Sequence, residues 1–183
     1  MGKTLFFAVL LSCLIQVELA ATPPATNHKM LDQPSVIQGY PCDKGFAWFF
    51  LDGRLQRCTL ARAMSFGEAR VPAGSMITLL PDGRPNFVQL SHSAPVAGYL
   101  CMGAGWMGVA EGSTTAFYPS GKLKQCYLAG DQMVQGVPCM NGSLVGDGRG
   151  GGAQFYESGK LRSCRLTRDF GAMHRGDRFV QGQ

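Results

Sequence analysis

One twelve-residue phrase recurs along the chain, and cysteines recur with it. The fullest copies are Phe117-Tyr118-Pro119-Ser120-Gly121-Lys122-Leu123-Lys124-Gln125-Cys126-Tyr127-Leu128 and Phe155-Tyr156-Glu157-Ser158-Gly159-Lys160-Leu161-Arg162-Ser163-Cys164-Arg165-Leu166. Phe49 to Leu60 is an earlier copy around Asp52-Gly53, and Leu79 to Leu90 a weaker one around Asp82-Gly83. A fixed internal repeat sets the architecture before any local motif is read, because each unit must bury its apolar face against its neighbours. The fold class expected is all-β: tandem β-hairpin repeats forming an extended or meandering antiparallel sheet, stapled by disulfides.

The turn pairs are Asp52-Gly53, Asp82-Gly83, Ser120-Gly121 and Ser158-Gly159. Glycine supplies positive φ without steric cost, and Asp or Ser before it suits a tight hairpin. Strict alternation cannot put Leu123, Cys126 and Leu128 on one side of a strand, so the pattern calls for a β-bulge or a sharply twisted hairpin. Apolar residues nowhere recur at the spacing of a helix face, and Leu60 to Ala69 is the best candidate for a short helical turn.

Lys3 followed by the apolar run Leu5 to Ile15 has the pattern of a secretory signal peptide, with small residues at Ala20 and Ala21 for cleavage. The run is shorter than the ~20 residues of a membrane span. A rival reading takes Leu10-Leu11-Ser12-Cys13 as a lipobox with Cys13 as lipid anchor. The expected organisation is a signal peptide over 1–21, a Pro-rich linker over 22–36 and a β-repeat domain over 37–183. Its units run about 37–68, 69–95, 96–133 and 134–179. The end of the chain, Val180-Gln181-Gly182, repeats Ile37-Gln38-Gly39 and Val134-Gln135-Gly136, which points to a final capping strand over 180–183.

Without Cys13, six cysteines are left, and six allow fifteen pairings. The repeat reduces that number. Cys42, Cys101 and Cys139 end similar phrases, and Cys58, Cys126 and Cys164 each lie five residues past a turn glycine. The second unit lacks both kinds together, with Val71-Pro72-Ala73 and Val88 in their places. Joint loss is what intra-unit bonding produces, so the expected bridges are Cys42–Cys58, Cys101–Cys126 and Cys139–Cys164, with bonding between neighbouring units as the competing arrangement. A zinc site is disfavoured: no close Cys-x-x-Cys pair exists, and an exported chain leaves the reducing compartment.

The phrase aromatic-x-x-Ser-Gly-Lys-Leu resembles the repeats of the MORN family and of MORN-like antitoxin proteins. The resemblance covers Phe49 to Leu60, Phe117 to Leu128 and Phe155 to Leu166, with Leu79 to Leu90 marginal. It implies stacked hairpins in an extended sheet and an interaction scaffold, sometimes one that touches lipid. An antitoxin role does not suit an exported chain and is not carried over.

Other motifs lack their context. Gly103-Ala104-Gly105-Trp106-Met107-Gly108 matches the dinucleotide fingerprint as a string, but that fingerprint works only between a strand and a helix. Asp147 in its glycine-rich run is too little for calcium, which takes several oxygens. Ser91-His92-Ser93 has hydroxyls but no acidic partner at a recognisable spacing. Arg175-Gly176-Asp177 and Asn141-Gly142-Ser143 are an adhesion tripeptide and a glycosylation sequon, both short.

The net charge is +5, and the excess lies late in the chain. Lys160, Arg162, Arg165 and Arg168 are candidate contacts for an anionic lipid or glycan surface. No aromatic interleaving marks a nucleic-acid groove. Trp106, Met107 and Leu144, in two glycine-rich inserts, are the candidate anchors for a protein partner. The function expected is that of an exported, non-catalytic interaction or structural module at the cell envelope. No cofactor, no nucleic-acid partner and no transmembrane segment in the mature chain are expected. The alternative is an envelope-associated hydrolase.

Overall fold

The computed structural model describes residues 26–104, 114–142, 152–167 and 179–181. Among them every regular element is a strand. Each repeat unit contains two hairpins, where the sequence pattern led to one. A minor hairpin comes first: β2–β3 (Ser35–Ile37, Tyr40–Cys42), β6–β7 (Met64–Phe66, Ala69–Val71), β10–β11 (Ala94–Val96, Tyr99–Cys101) and β14–β15 (Gln132–Val134, Val137–Cys139). A major hairpin follows in each: β4–β5 (Gly45–Phe50, Leu55–Thr59), β8–β9 (Met76–Leu79, Pro85–Gln89), β12–β13 (Thr114–Phe117, Leu123–Tyr127) and β16–β17 (Gly152–Phe155, Leu161–Arg165).

The major hairpins join β1 (Thr26–Leu31) and β18 (Phe179–Gln181) in one ten-stranded antiparallel sheet, ordered β1-β4-β5-β8-β9-β12-β13-β16-β17-β18. The minor hairpins are separate two-stranded ribbons. Their apolar residues Phe66, Val71, Val96 and Val134 belong to the same buried cluster as Leu55, Ile77, Val88, Leu123, Phe155 and Leu161 of the sheet. The core therefore lies between one sheet face and the ribbons.

Three expectations change. The segment read as a linker over 22–36 contains β1, paired with β4 over six residues from Thr26↔Phe50 to Leu31↔Gly45. Asn27 to Met30 are exposed, so β1 adds little apolar burial of its own. What holds it is the unpaired edge that β4 presents, since an open strand edge is a row of unsatisfied donors and acceptors. The segment Leu60 to Ala69 forms β6 and a turn instead of helix. The unit boundaries also move. Cuts after 68, 95 and 133 fall inside the hairpins β6–β7, β10–β11 and β14–β15, because strands of three residues are too short for their alternation to mark a boundary.

The bulge is present. Register shifts fall between Trp48 and Phe49, Thr78 and Leu79, Ala116 and Phe117, and Gln154 and Phe155. Ala116 faces Gln125 while Phe117 faces Leu123, so Lys124 is the extra residue. That insertion lets Leu123, Cys126 and Leu128 all point into the core, as their burial shows. At each major tip the glycine amide donates to the carbonyl three residues back, as Gly121 N to Tyr118 O at 2.8 Å, and Gly121 has φ +82°. A residue in that left-handed conformation after a turn is the G1-bulge hairpin, which explains the invariant glycine of the phrase.

Three bridges join Cys42–Cys58, Cys101–Cys126 and Cys139–Cys164, each with Cα atoms 5.7 Å apart. In the first, third and fourth units the end of the minor hairpin pairs with the end of its own major hairpin, at Cys42↔Leu60, Cys101↔Leu128 and Cys139↔Leu166, and this sets the cysteines side by side. In the second unit Val71 and Val88 are fully buried and fill the same places with an apolar pair.

Gly103 follows the second bridge's first cysteine. A Cβ on it would sit 2.1 Å from the His92 carbonyl carbon. Backbone cannot yield as a flexible side chain can. Gly103→Ala is therefore expected to cost about 2–3 kcal/mol, as overpacking does. The urea midpoint measures it, and an unchanged midpoint would show that the contact is looser than described.

Candidate functional site

The two faces of the sheet differ. Cys58, Ile77, Val88, Thr115, Cys126 and Ala153 lie across neighbouring strands on the ribbon side, all at most 1% exposed. The opposite face carries two rows in register. One runs His28, Trp48, Arg57, Thr78, Phe87, Ala116, Gln125, Gln154 and Ser163. The other includes Met30, Phe46, Thr59, Met76, Gln89, Thr114 and Tyr127. Of these sixteen residues only Thr78 is buried. Among the described residues no layer covers this face.

Its first end is aromatic. Phe46 is 47% exposed and Met30 52%. His28 meets Phe46 edge-on at 5.5 Å, and Phe46 lies 5.9 Å from Trp48. The Arg57 guanidinium sits over Trp48 at 5.3 Å from the ring centre, a cation–π contact across the β4–β5 pair. Its Nε is buried without a hydrogen-bond partner. The rings of this cluster have no place in the repeat phrase, and Phe46 to Leu51 is an unbroken apolar stretch in the sequence. The signal available was alternation: Ala47 and Phe49 belong to one face, Phe46 and Trp48 to the other.

A second feature lies at the tips of the major hairpins. In the first unit Gln38, in the minor-hairpin turn, clasps the major tip: its Nε2 donates to Gly53 O at 3.2 Å and its Oε1 accepts from Leu55 N at 3.0 Å. Gln135 repeats this in the fourth unit, with Gly159 O at 2.8 Å and Leu161 N at 2.9 Å. In the second unit Gly83 O accepts from the Tyr40 hydroxyl at 2.6 Å, and Pro85 has no N–H to satisfy. Burial, with Asp82 adding to it, pushes the Tyr40 phenol above its ordinary value and keeps it a donor.

The third tip is different. Ala97 stands where Gln38 and Gln135 stand, and Ala69 where Tyr40 and Tyr99 stand. A pocket of about 500 Å³ opens there, lined by Ala69, Ala97, Tyr99, Gly121, Leu123 and Phe155, with Glu68 and Lys122 among its other walls. The charge of the tips also changes along the chain. Asp52 and Asp82 pair with Arg54 and Arg84, and hydrogen bonds from those arginine side chains hold both carboxyls below the ordinary carboxylate range. In the later units Ser120 and Ser158 replace the aspartates while Lys122 and Lys160 keep the cation.

The residues proposed from sequence are dispersed. Lys160 and Arg162 are exposed at the fourth tip, with Arg162 5.8 Å from the Tyr156 ring centre. Arg165 is half-buried on the open face, in register with Phe179. Arg168, Trp106, Met107 and Leu144 lie outside the described residues. The six cysteines form the three bridges. Among the described residues no group of His, Cys, Asp or Glu is placed to hold a metal ion, and no helix is long and apolar enough to cross a membrane.

Comparison with protein-family models, curated proteins and solved structures finds no match to this chain.

Proposed function

We propose that the protein is an exported, non-catalytic interaction module of the cell envelope. The observation that carries this reading is the asymmetry of the sheet: one face is covered by ribbons, three of them stapled by disulfides, while among the described residues the other exposes His28, Met30 and Phe46 beside half-buried Trp48 and Arg57. Clustered aromatics beside an arginine are the residue types that dominate binding energy at protein interfaces. Stacked hairpins, as in the MORN-like resemblance, point the same way. Three disulfides and the signal-like start support export.

The test is capture from the exported fraction with the oxidised full chain and with a Phe46→Ser/Trp48→Ser variant. Neither side chain belongs to the buried core, so the variant is expected to stay folded, its stability lowered by about 1–2 kcal/mol through the lost ring and cation–π contacts. Loss of the captured protein in the variant supports the reading. Identical capture by both removes the open face from it.

The second reading is contact with an anionic lipid or glycan surface through the basic later units. It is favoured by Lys160 and Arg162, exposed together at one tip. Binding of this kind falls steeply between about 0.05 and 0.5 M salt, because screening shortens the reach of exposed charges. Sedimentation with anionic vesicles across that range measures it, and salt-insensitive binding excludes it.

A further inference from the structure

The geometry points to the third hairpin tip as a binding site for a primary carboxamide. The chain itself shows which chemistry fits. Where the residue after the tip has an N–H, as at Leu55 and Leu161, a glutamine amide chelates that N–H and the glycine carbonyl two residues earlier. Where the residue is Pro85, the glutamine is absent and a tyrosine hydroxyl serves the carbonyl alone. Leu123 has its N–H, yet the clasping position is Ala97, and the position that would send in a tyrosine is Ala69. Both truncations fall around one tip, and the pocket of about 500 Å³ is the space they leave.

The backbone is already set for such a ligand. Ala97 has φ +50°, as Gln38 and Gln135 do at +50° and +51°, so the turn keeps the clasping conformation without the clasping side chain. The facing turn has Gly67, and a Cβ there would lie 3.3 Å from Gly121 O. With glycine there, no side chain from that turn crowds the carbonyl. Tyr99 and Phe155, stacked at 4.9 Å, form an apolar wall suited to the methylene stem of a glutamine side chain.

Chelation selects among amides. A primary carboxamide presents N–H and C=O on one edge, as Gln38 does to Gly53 and Leu55. A trans secondary amide, such as a peptide bond or an N-acetyl group, presents them on opposite edges and cannot engage both. A carboxylate accepts from Leu123 N but repels Gly121 O. The site therefore takes glutamine or its amide equivalents in preference to glutamate. It is separate from the open sheet face and stands without it.

The experiment follows the Leu123 and Gly121 amide resonances of the oxidised full chain by NMR. The probes are Nα-acetyl-glutamine N-methylamide, free glutamine, the corresponding glutamate derivative and the Nε,Nε-dimethyl glutamine derivative. Two hydrogen bonds and a short apolar stem give an expected Kd on the order of 1 mM. Saturable shifts with the blocked glutamine alone assign the ligand to a peptide side chain; shifts with free glutamine as well assign it to the amide whatever carries it. Ala97→Gln is expected to fill the site from within, abolish the response and raise Tm by about 3 °C through the added clasp. Phe46→Ser/Trp48→Ser leaves the response unchanged, which separates this site from the open face. No shift up to about 50 mM, fifty times the expected constant, overturns the assignment. So does an equal response to the dimethyl derivative, or a full response in Ala97→Gln.

Discussion

Reduction of the three bridges is expected to unfold the repeat domain at temperatures where the oxidised protein keeps its sheet. The bridges close loops of sequence separation 16, 25 and 25. Closing loops of this length restricts the unfolded chain by about 3 kcal/mol each, so the three together contribute on the order of 9 kcal/mol. That is comparable to the whole stability of an ordinary domain, about 5–15 kcal/mol. Circular dichroism against temperature, with and without reductant, measures the loss. A reduced protein that melts within a few degrees of the oxidised one would remove the bridges from the account of stability.

The second unit supplies an internal control for the same experiment. Val71 and Val88 occupy the cysteine places there and are fully buried. Cys101→Val/Cys126→Val should lose about 3 kcal/mol, the loop-closure part, while keeping the packing. Cys101→Ser/Cys126→Ser should lose a further 1–3 kcal/mol for each hydroxyl left buried without a partner. Equal losses in the two variants would mean that the site opens to water when the bridge is gone.

Truncation of Phe155 is the second large effect. Its ring is 2% exposed and stacks on Tyr99, which packs the fourth major hairpin against the third ribbon. Its carbonyl accepts from the Tyr118 hydroxyl at 2.8 Å, which ties the third tip to the fourth hairpin. Phe155→Ala should cost about 3–5 kcal/mol through lost transfer energy and the cavity left behind. Phe155→Leu should cost less, because the second unit carries Leu79 in the equivalent place, 2% exposed. Urea unfolding at constant slope gives both numbers. A loss under about 1 kcal/mol for the alanine would contradict the tight packing that such burial implies.

Several structural features were legible because the repeat encodes them directly. The tip glycines need positive φ, so Asp-Gly and Ser-Gly marked the four major turns. Leu123, Cys126 and Leu128 could not share a face without an extra residue, so the bulge was written in their spacing. The cysteine partners followed from Val71 and Val88 replacing two cysteines at once. The ribbons were harder to read. Each minor strand has three residues, too short for alternation to register, and Gln38, Ala97 and Gln135 sit at positive φ where a glycine would be the expected signal. β1 was illegible for another reason: Asn27, His28 and Lys29 show no apolar period, and the strand exists because β4 offers it a ladder.

The candidate sites follow the same division. Aligning the units shows that Ala97 replaces a glutamine, but only the folded chain reveals what that glutamine holds. Likewise, Phe46 and Trp48 are plain in the sequence, while the face they occupy depends on which side of the sheet the ribbons cover.

The sequence alone determined the local rules: where the chain turns, which strands are bulged, and which cysteines answer to each other. Those rules act over a few residues, through backbone conformation and side-chain period. Tertiary structure decided that each unit folds into two layers and that, among the described residues, one sheet face has no layer over it and one hairpin tip has no clasp. Those outcomes depend on contacts between segments 15 to 43 residues apart, such as Gln38 with Gly53 and Tyr40 with Gly83, and no local pattern carries the energy of a contact its partner has yet to make.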